Sequence, residues 1–244
     1  MDGMMPHTTL STQVPPQLCL LRTYVWEKPV RISHWFIVLS VAVLSFTGYY
    51  MHNPFLVATG RHPFVMGTMR FIHLCAAFLF ILSFLLRIYW FHVGNRWSNW
   101  HAFIPLSRLQ WRGIGRMVKY YSFLQKNIDH QIGHNALAAI TYSFMFLLMF
   151  LEILTGLALY NAIVKFKTLA FLIGWLPWLI DIQYLRMFHF GMIFVFFIFV
   201  IHHVYSALLV SSVEDNGLIE SIFTGYKFIP PEELEASVAA KKSK

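Results

Sequence analysis

The sequence predicts an all-α membrane protein, a bundle of four transmembrane helices. Three observations predict it. Of 244 residues, 57% are hydrophobic and only 12% are charged, against ~25% charged in an average soluble domain. Apolar residues gather into four runs, at about 33–51, 70–92, 136–161 and 187–211, each long enough to cross a hydrocarbon core of ~30 Å. Lys and Arg flank the runs unevenly, with fourteen on one side of the alternating spans and five on the other.

The elements follow in order. Residues 1–22 read as a polar, Pro-containing N-terminal tail. They do not read as a cleaved leader, because the first apolar run begins only after Arg31 and is too long for one. Residues 23–228 form the membrane domain, and 229–244 a C-terminal tail. Between spans two and three, residues 108–126 set Trp111, Met117, Tyr120 and Phe123 among Arg112, Arg116 and Lys119. That pattern suits an amphipathic helix on the cytoplasmic surface, and a basic loop that only fixes topology suits it equally. Leu169 to Ile180 is apolar but too short to span, and contains Gly174 and Pro177. It reads as an interfacial loop. No internal repeat is evident.

The positive-inside rule places both termini and the long middle connection in the cytoplasm, with the 1–2 and 3–4 connections outside. The net charge of +8 is then a topology signal, and nucleic-acid binding is not implied. Cys19 and Cys75 form no CxxC or CxxCH pattern, so a c-type haem attachment, a zinc ribbon and a disulfide framework are all unsupported.

Four of the twelve histidines lie inside spans near their ends: His34, His73, His189 and His203. His7, His52, His62, His92, His101 and His130 lie in tails, loops or span ends, where water or headgroups solvate them. One intramembrane histidine alone reads as a hydrogen-bonded core residue, but four at matched depths read as ligands. His189 and His203 are fourteen residues apart, which returns to within ~40° of the same helix face and rises ~21 Å. His202 falls almost opposite, so His203 is the candidate. Span direction then pairs His73 with His189 near the outer side, and His34 with His203 near the inner side. Each pair offers the two opposed nitrogens of a low-spin haem. Gly48, Gly156 and Gly191 allow close approach of a macrocycle or of another helix. Arg31 and Arg87, at inner span ends, are candidates for haem propionates or are simple anchors.

Several segments carry a resemblance. In order they are the run from Tyr24 to Trp35 (YVWEKPVRISHW), Thr47-Gly48-Tyr49, Arg70 to His73, Arg87 to Trp90, Gly94-Asn95-Arg96, Ile132 to Asn135, Thr155 to Tyr160, His203 to Ala207, and Gly225-Tyr226. Over residues ~23–228 the chain resembles the b-type cytochrome subunit of membrane-bound nickel–iron hydrogenases. The resemblance implies two b haems with His34, His73, His189 and His203 as axial and metal ligands. It also implies a periplasmic hydrogenase small subunit as donor, and through it the large subunit. The implied acceptor is a membrane quinone, menaquinone or ubiquinone, and the implied site is the bacterial inner membrane. The chain has no thiolate set for nickel, so no H2 chemistry falls to it. Asp129, His130, His134, Asn135 and Tyr205 are inner-side candidates for the quinone site, with Asn135 also suited to cap span three.

Some positions depart from the family pattern. His189 sits in Phe188-His189-Phe190-Gly191-Met192, Glu152 lies where the family usually has an apolar residue, and Ser211 to Asp215 differs from the usual Arg-Glu-Asp. Other readings are the membrane cytochrome subunit of a formate dehydrogenase or thiosulfate reductase, a stand-alone superoxide–quinone oxidoreductase, and a haem-free scaffold.

Overall fold

A computed structural model describes residues 20–55, 64–104, 108–126, 132–214 and 216–235. The elements are β1 (Leu21–Tyr24), α1 (Lys28–His52), α2 (Val65–Val93), a 3-10 turn at Trp100–Ala102, and α3 (Arg108–Tyr121). Then come α4 (Ala136–Val164), α5 (Lys167–Ile173), α6 (Leu176–Leu179), α7 (Ile182–Glu214), α8 (Leu218–Thr224) and β2 (Tyr226–Ile229). The four apolar runs are α1, α2, α4 and α7, each long and apolar enough to cross a membrane. All outlast their hydropathic runs: α7 has 33 residues, about 50 Å at ~1.5 Å per residue.

Local chemistry sets the ends. Pro29 opens α1, where its fixed φ fits and its missing N–H costs no bond. The Asn135 side chain accepts from the Ala138 N–H at 2.8 Å and caps α4, as its sequence position suggests. The basic middle segment is helical as α3, with Met117 buried and Trp111 exposed. The stretch Leu169 to Ile180, expected as a loop, forms α5 and α6, with Pro177 in the first turn of α6.

Apolar side chains face both ways. Phe80 and Phe84 of α2, Met145 and Met149 of α4, and Met192 and Phe196 of α7 make one buried cluster. Phe78, Leu85, Phe197 and Ile198 point outward, each more than half exposed. Such belts would be an association hazard in water and are the normal lipid-facing surface of a membrane bundle. Buried polar residues on the spans are mostly small (Ser33, Ser40, Thr47, Ser83 and Thr155), which lets helices approach closely.

At one end the chain closes on itself. β1 and β2 pair antiparallel, Leu21 against Ile229 and Tyr24 against Tyr226, straddling the expected domain edges. Gly225, at φ 90°, turns α8 into β2, and a Cβ there would lie 2.6 Å from the Tyr24 ring. Its carbonyl accepts from Val25 and Trp26 N–H groups at 2.8 and 3.1 Å. Glu27 is the hub of this end. Its Oε2 accepts from Trp90 Nε1 (2.8 Å), Asn95 N (2.8 Å) and Ser98 Oγ (3.1 Å). It thereby ties the start of α1 to the end of α2 and the loop beyond.

Glu27→Ala strips the Trp90 and Asn95 N–H groups of their acceptor, at about 1–3 kcal/mol for each that stays buried and unpaired, while the Ser98 hydroxyl keeps Asn95 Oδ1 at 2.8 Å. The expected result is a lower thermal midpoint in detergent and faster proteolysis within residues 94–104. Glu27→Gln, which keeps a carbonyl acceptor, should lose clearly less.

Candidate functional site

Helix α7 carries His189 and His203, with Met192 and Phe196 between them in the core cluster. Helix α1 brings His34 to His203, at the end where the sheet lies, with ring centroids 6.3 Å apart. Helix α2 brings His73 to His189 at the far end, 6.4 Å apart. Both separations are too long for ring stacking. An imidazole centroid lies about 1.1 Å from its ligating nitrogen, and a metal–nitrogen bond is about 2.0 Å, so two imidazoles opposed across one metal have centroids about 6.2 Å apart. Both pairs match that spacing, and the donor set suits haem iron.

The rings are also oriented. Thr47 Oγ1 donates to the Val43 carbonyl at 2.7 Å, so its single hydrogen is spent and it meets His73 Nδ1, 2.8 Å away, as an acceptor. Thr155 repeats the device on α4. It donates toward the Leu151 and Glu152 carbonyls, each at 3.0 Å, and stands 3.1 Å from His189 Nδ1. Nδ1 then carries the proton in both rings, leaving the Nε2 lone pair for a metal. Glu152 Oε1 lies 3.0 Å from the same His189 Nδ1. At the sheet end, Tyr142 Oη lies 3.1 Å from His203 Nδ1, while His34 Nδ1 is buried with no partner among the described residues.

A glycine follows each threonine. A Cβ on Gly48 would lie 3.5 Å from His73 Cε1, and one on Gly156 only 3.0 Å from His189 Cε1. These two make room for the far-end rings. A Cβ on Gly191 would meet nothing within 4 Å.

Beside the sheet-end pair is a small, open cleft between α3, the start of α4, and α7. Tyr121, Asn135, Thr141, Tyr142, His202, His203 and Ser206 supply its polar lining. Tyr121 hydrogen-bonds toward Ser206 and Asn135, and burial raises its pKa. His202 belongs to this cleft, 3.3 Å from Ser206 Oγ and edge-on to Tyr121.

The remaining candidates have distinct surroundings. His134 is enclosed by Trp26, Phe103 and Tyr142. Burial, followed by the charges of Arg87 and Lys227, lowers its pKa to about 3, so it is neutral at physiological pH. Tyr205 is exposed. Arg87 is buried, bonded to the Ser98 carbonyl at 3.1 Å and set over the Phe91 ring. Arg31 donates to the Phe223 carbonyl, and its buried Nε has no described partner. Asp129 and His130 lie outside the described residues. Thr47, Thr155, Tyr121 and Tyr142 were not singled out as site residues from sequence. The Thr-Gly dipeptide at equivalent places in spans one and three is the signal that marks the first two.

Fold and site together define a class: a membrane cytochrome of the b type, with haem b as its group and electron transport as its business. The family model for prokaryotic cytochrome b561 matches residues 25–225, and the chain belongs to that family. It is 36% identical over 214 residues to the probable Ni/Fe-hydrogenase 1 B-type cytochrome subunit of Escherichia coli (strain K12), covering 84% of this chain and 90% of the relative. It is 34% identical over 212 residues to the probable Ni/Fe-hydrogenase B-type cytochrome subunit of Cupriavidus necator, covering 84% and 86%. The similarly named protein of Rhizobium leguminosarum bv. viciae is 32% identical over 238 residues, covering 93% and 98%.

The two glycines give a graded test. Gly156→Ala forces a Cβ against His189 and should reduce haem retained per chain. Gly48→Ala adds only an ordinary contact and should leave that ratio near wild type. Haem-to-protein ratios of the purified variants check both.

Proposed function

We propose that this chain is the di-haem membrane subunit of a nickel–iron hydrogenase, carrying electrons from H2 oxidation to membrane quinone. The observation that carries this reading is the presence of two histidine pairs, each at the spacing of a bis-histidine haem, at two levels of one helix. The relatives, themselves Ni/Fe-hydrogenase B-type cytochrome subunits by name, supply the hydrogenase partner. The basic residues supply the orientation, with both termini in the cytoplasm of the bacterial inner membrane and α5 and α6 on the periplasmic side. His73/His189 is then the outer pair, nearest the hydrogenase small subunit and, through it, the large subunit. His34/His203 is the inner pair.

Haem b, when bound, supplies a one-electron iron couple. The four imidazoles hold it, and Thr47 and Thr155 fix the outer rings. Arg31, with its partnerless buried Nε, is assigned to a propionate. Arg87, already engaged with Ser98 and Phe91, holds the loop instead. The quinone site is the cleft beside the inner pair. Tyr142 links its wall to His203, while Tyr121, Asn135, His202 and Ser206 offer hydrogen bonds to a quinone head. His134 stands behind Tyr142 and steadies that ring.

The deciding experiment is purification with native partners, followed by haem quantification and an assay of H2-dependent quinone reduction. Two haems per chain, a copurifying nickel–iron enzyme and quinone reduction are expected. A copurifying formate-oxidising enzyme, or superoxide–quinone activity of the isolated chain, would overturn the reading. His203→Ala should lose one haem while His202→Ala keeps two, as the reduced-minus-oxidised b band will report. Tyr142→Phe should keep both haems and slow quinone reduction.

A further inference from the structure

Glu152 is the buried ionisable side chain least expected in an apolar span. It sits one helical turn before Thr155 on α4, and both side chains converge on His189. Its Oε1 is 3.0 Å from His189 Nδ1, and its Oε2 is buried with no partner among the described residues. A carboxylate inside a bilayer is costly unless paired, and His189 is the partner the structure gives it.

The four imidazoles differ in what meets Nδ1. His73 meets the Thr47 hydroxyl, His203 the Tyr142 hydroxyl, and His34 no described partner. His189 has a hydroxyl and a carboxylate together. A carboxylate draws on the Nδ1 proton more strongly than a hydroxyl does, and gives the imidazole anionic character. A more anionic ligand stabilises ferric iron over ferrous, because the oxidised centre carries one more positive charge. Ferrous-to-ferric conversion releases one electron, so stabilising the ferric form lowers the midpoint potential.

We infer that Glu152 is a positioning residue that holds the outer haem at a lower midpoint potential than the inner one, which makes transfer from the outer to the inner pair downhill. The inference rests on the two-haem reading above. It assigns Glu152 no contact with iron, haem or quinone.

The test is a potentiometric titration of the b band in membranes carrying the full complex, after the haem-to-protein ratio has been measured. Wild type should show two haems and two midpoints. Glu152→Gln should raise the lower midpoint, leave the higher one in place and keep both haems. Glu152→Leu, suited to an apolar span, should do the same, and Glu152→Asp should restore part of the wild-type separation. Two retained haems with both midpoints unmoved would overturn the inference alone. So would a shift confined to the higher midpoint, or loss of the outer haem in both Gln and Leu variants, which would make Glu152 merely structural. A wild-type ratio below two would overturn the two-haem reading, and this inference with it.

Discussion

Fourteen residues separate His189 from His203, and the rest of the bundle is arranged around that interval. It keeps both imidazoles on one face of α7 and fixes their levels about 21 Å apart along the helix. A second imidazole must then arrive at each level. The α1–α2 hairpin supplies both, because its helices run in opposite directions and each carries its histidine near its own start. Helix α4 adds the polar groups that orient the α7 rings: Thr155 and Glu152 at one level, Tyr142 at the other. The sheet and the Glu27 hub fasten the free end of this arrangement.

Much of this was legible in the sequence, for a physical reason. Spans show as long apolar runs, and phase along one helix follows from ~100° per residue, so the choice between His202 and His203 needs no tertiary information. What one helix does to its neighbour is not encoded that way. The convergence of Glu152 on His189 depends on how α4 and α7 rotate and shift against each other, so sequence alone left that residue unassigned. β1 and β2 are four residues each and lie some 200 positions apart, with no local signal strong enough to join them. His202 lies against α3, edge-on to Tyr121, and no periodicity reports that helix's position.

The Thr-Gly dipeptide shows how a short motif can have a definite use and still be passed over. Thr47-Gly48 on α1 and Thr155-Gly156 on α4 treat His73 and His189 alike: the hydroxyl fixes the tautomer and the missing Cβ admits the ring. The likeness ends there. Glu152 gives the His189 ring a carboxylate neighbour that the other three lack among the described residues, and the sheet-end pair has no threonine on either Nδ1 among the described residues. The two levels share a geometry and differ in chemistry.

The cluster between the two levels has a consequence of its own. Phe80, Phe84, Met145, Met149, Met192 and Phe196 are buried and apolar, so this stratum gives water little reason to enter, and the polar groups beside it on the described spans are the isolated hydroxyls of Ser40 and Ser83. In the proposed reading it resists the passage of protons. Electrons crossing from the outer pair would leave their protons in the periplasm, and quinone would draw its own from the cytoplasm. Each turnover would then separate charge across the bilayer, and a stretch of phenylalanine and methionine would make hydrogen oxidation contribute to the membrane potential.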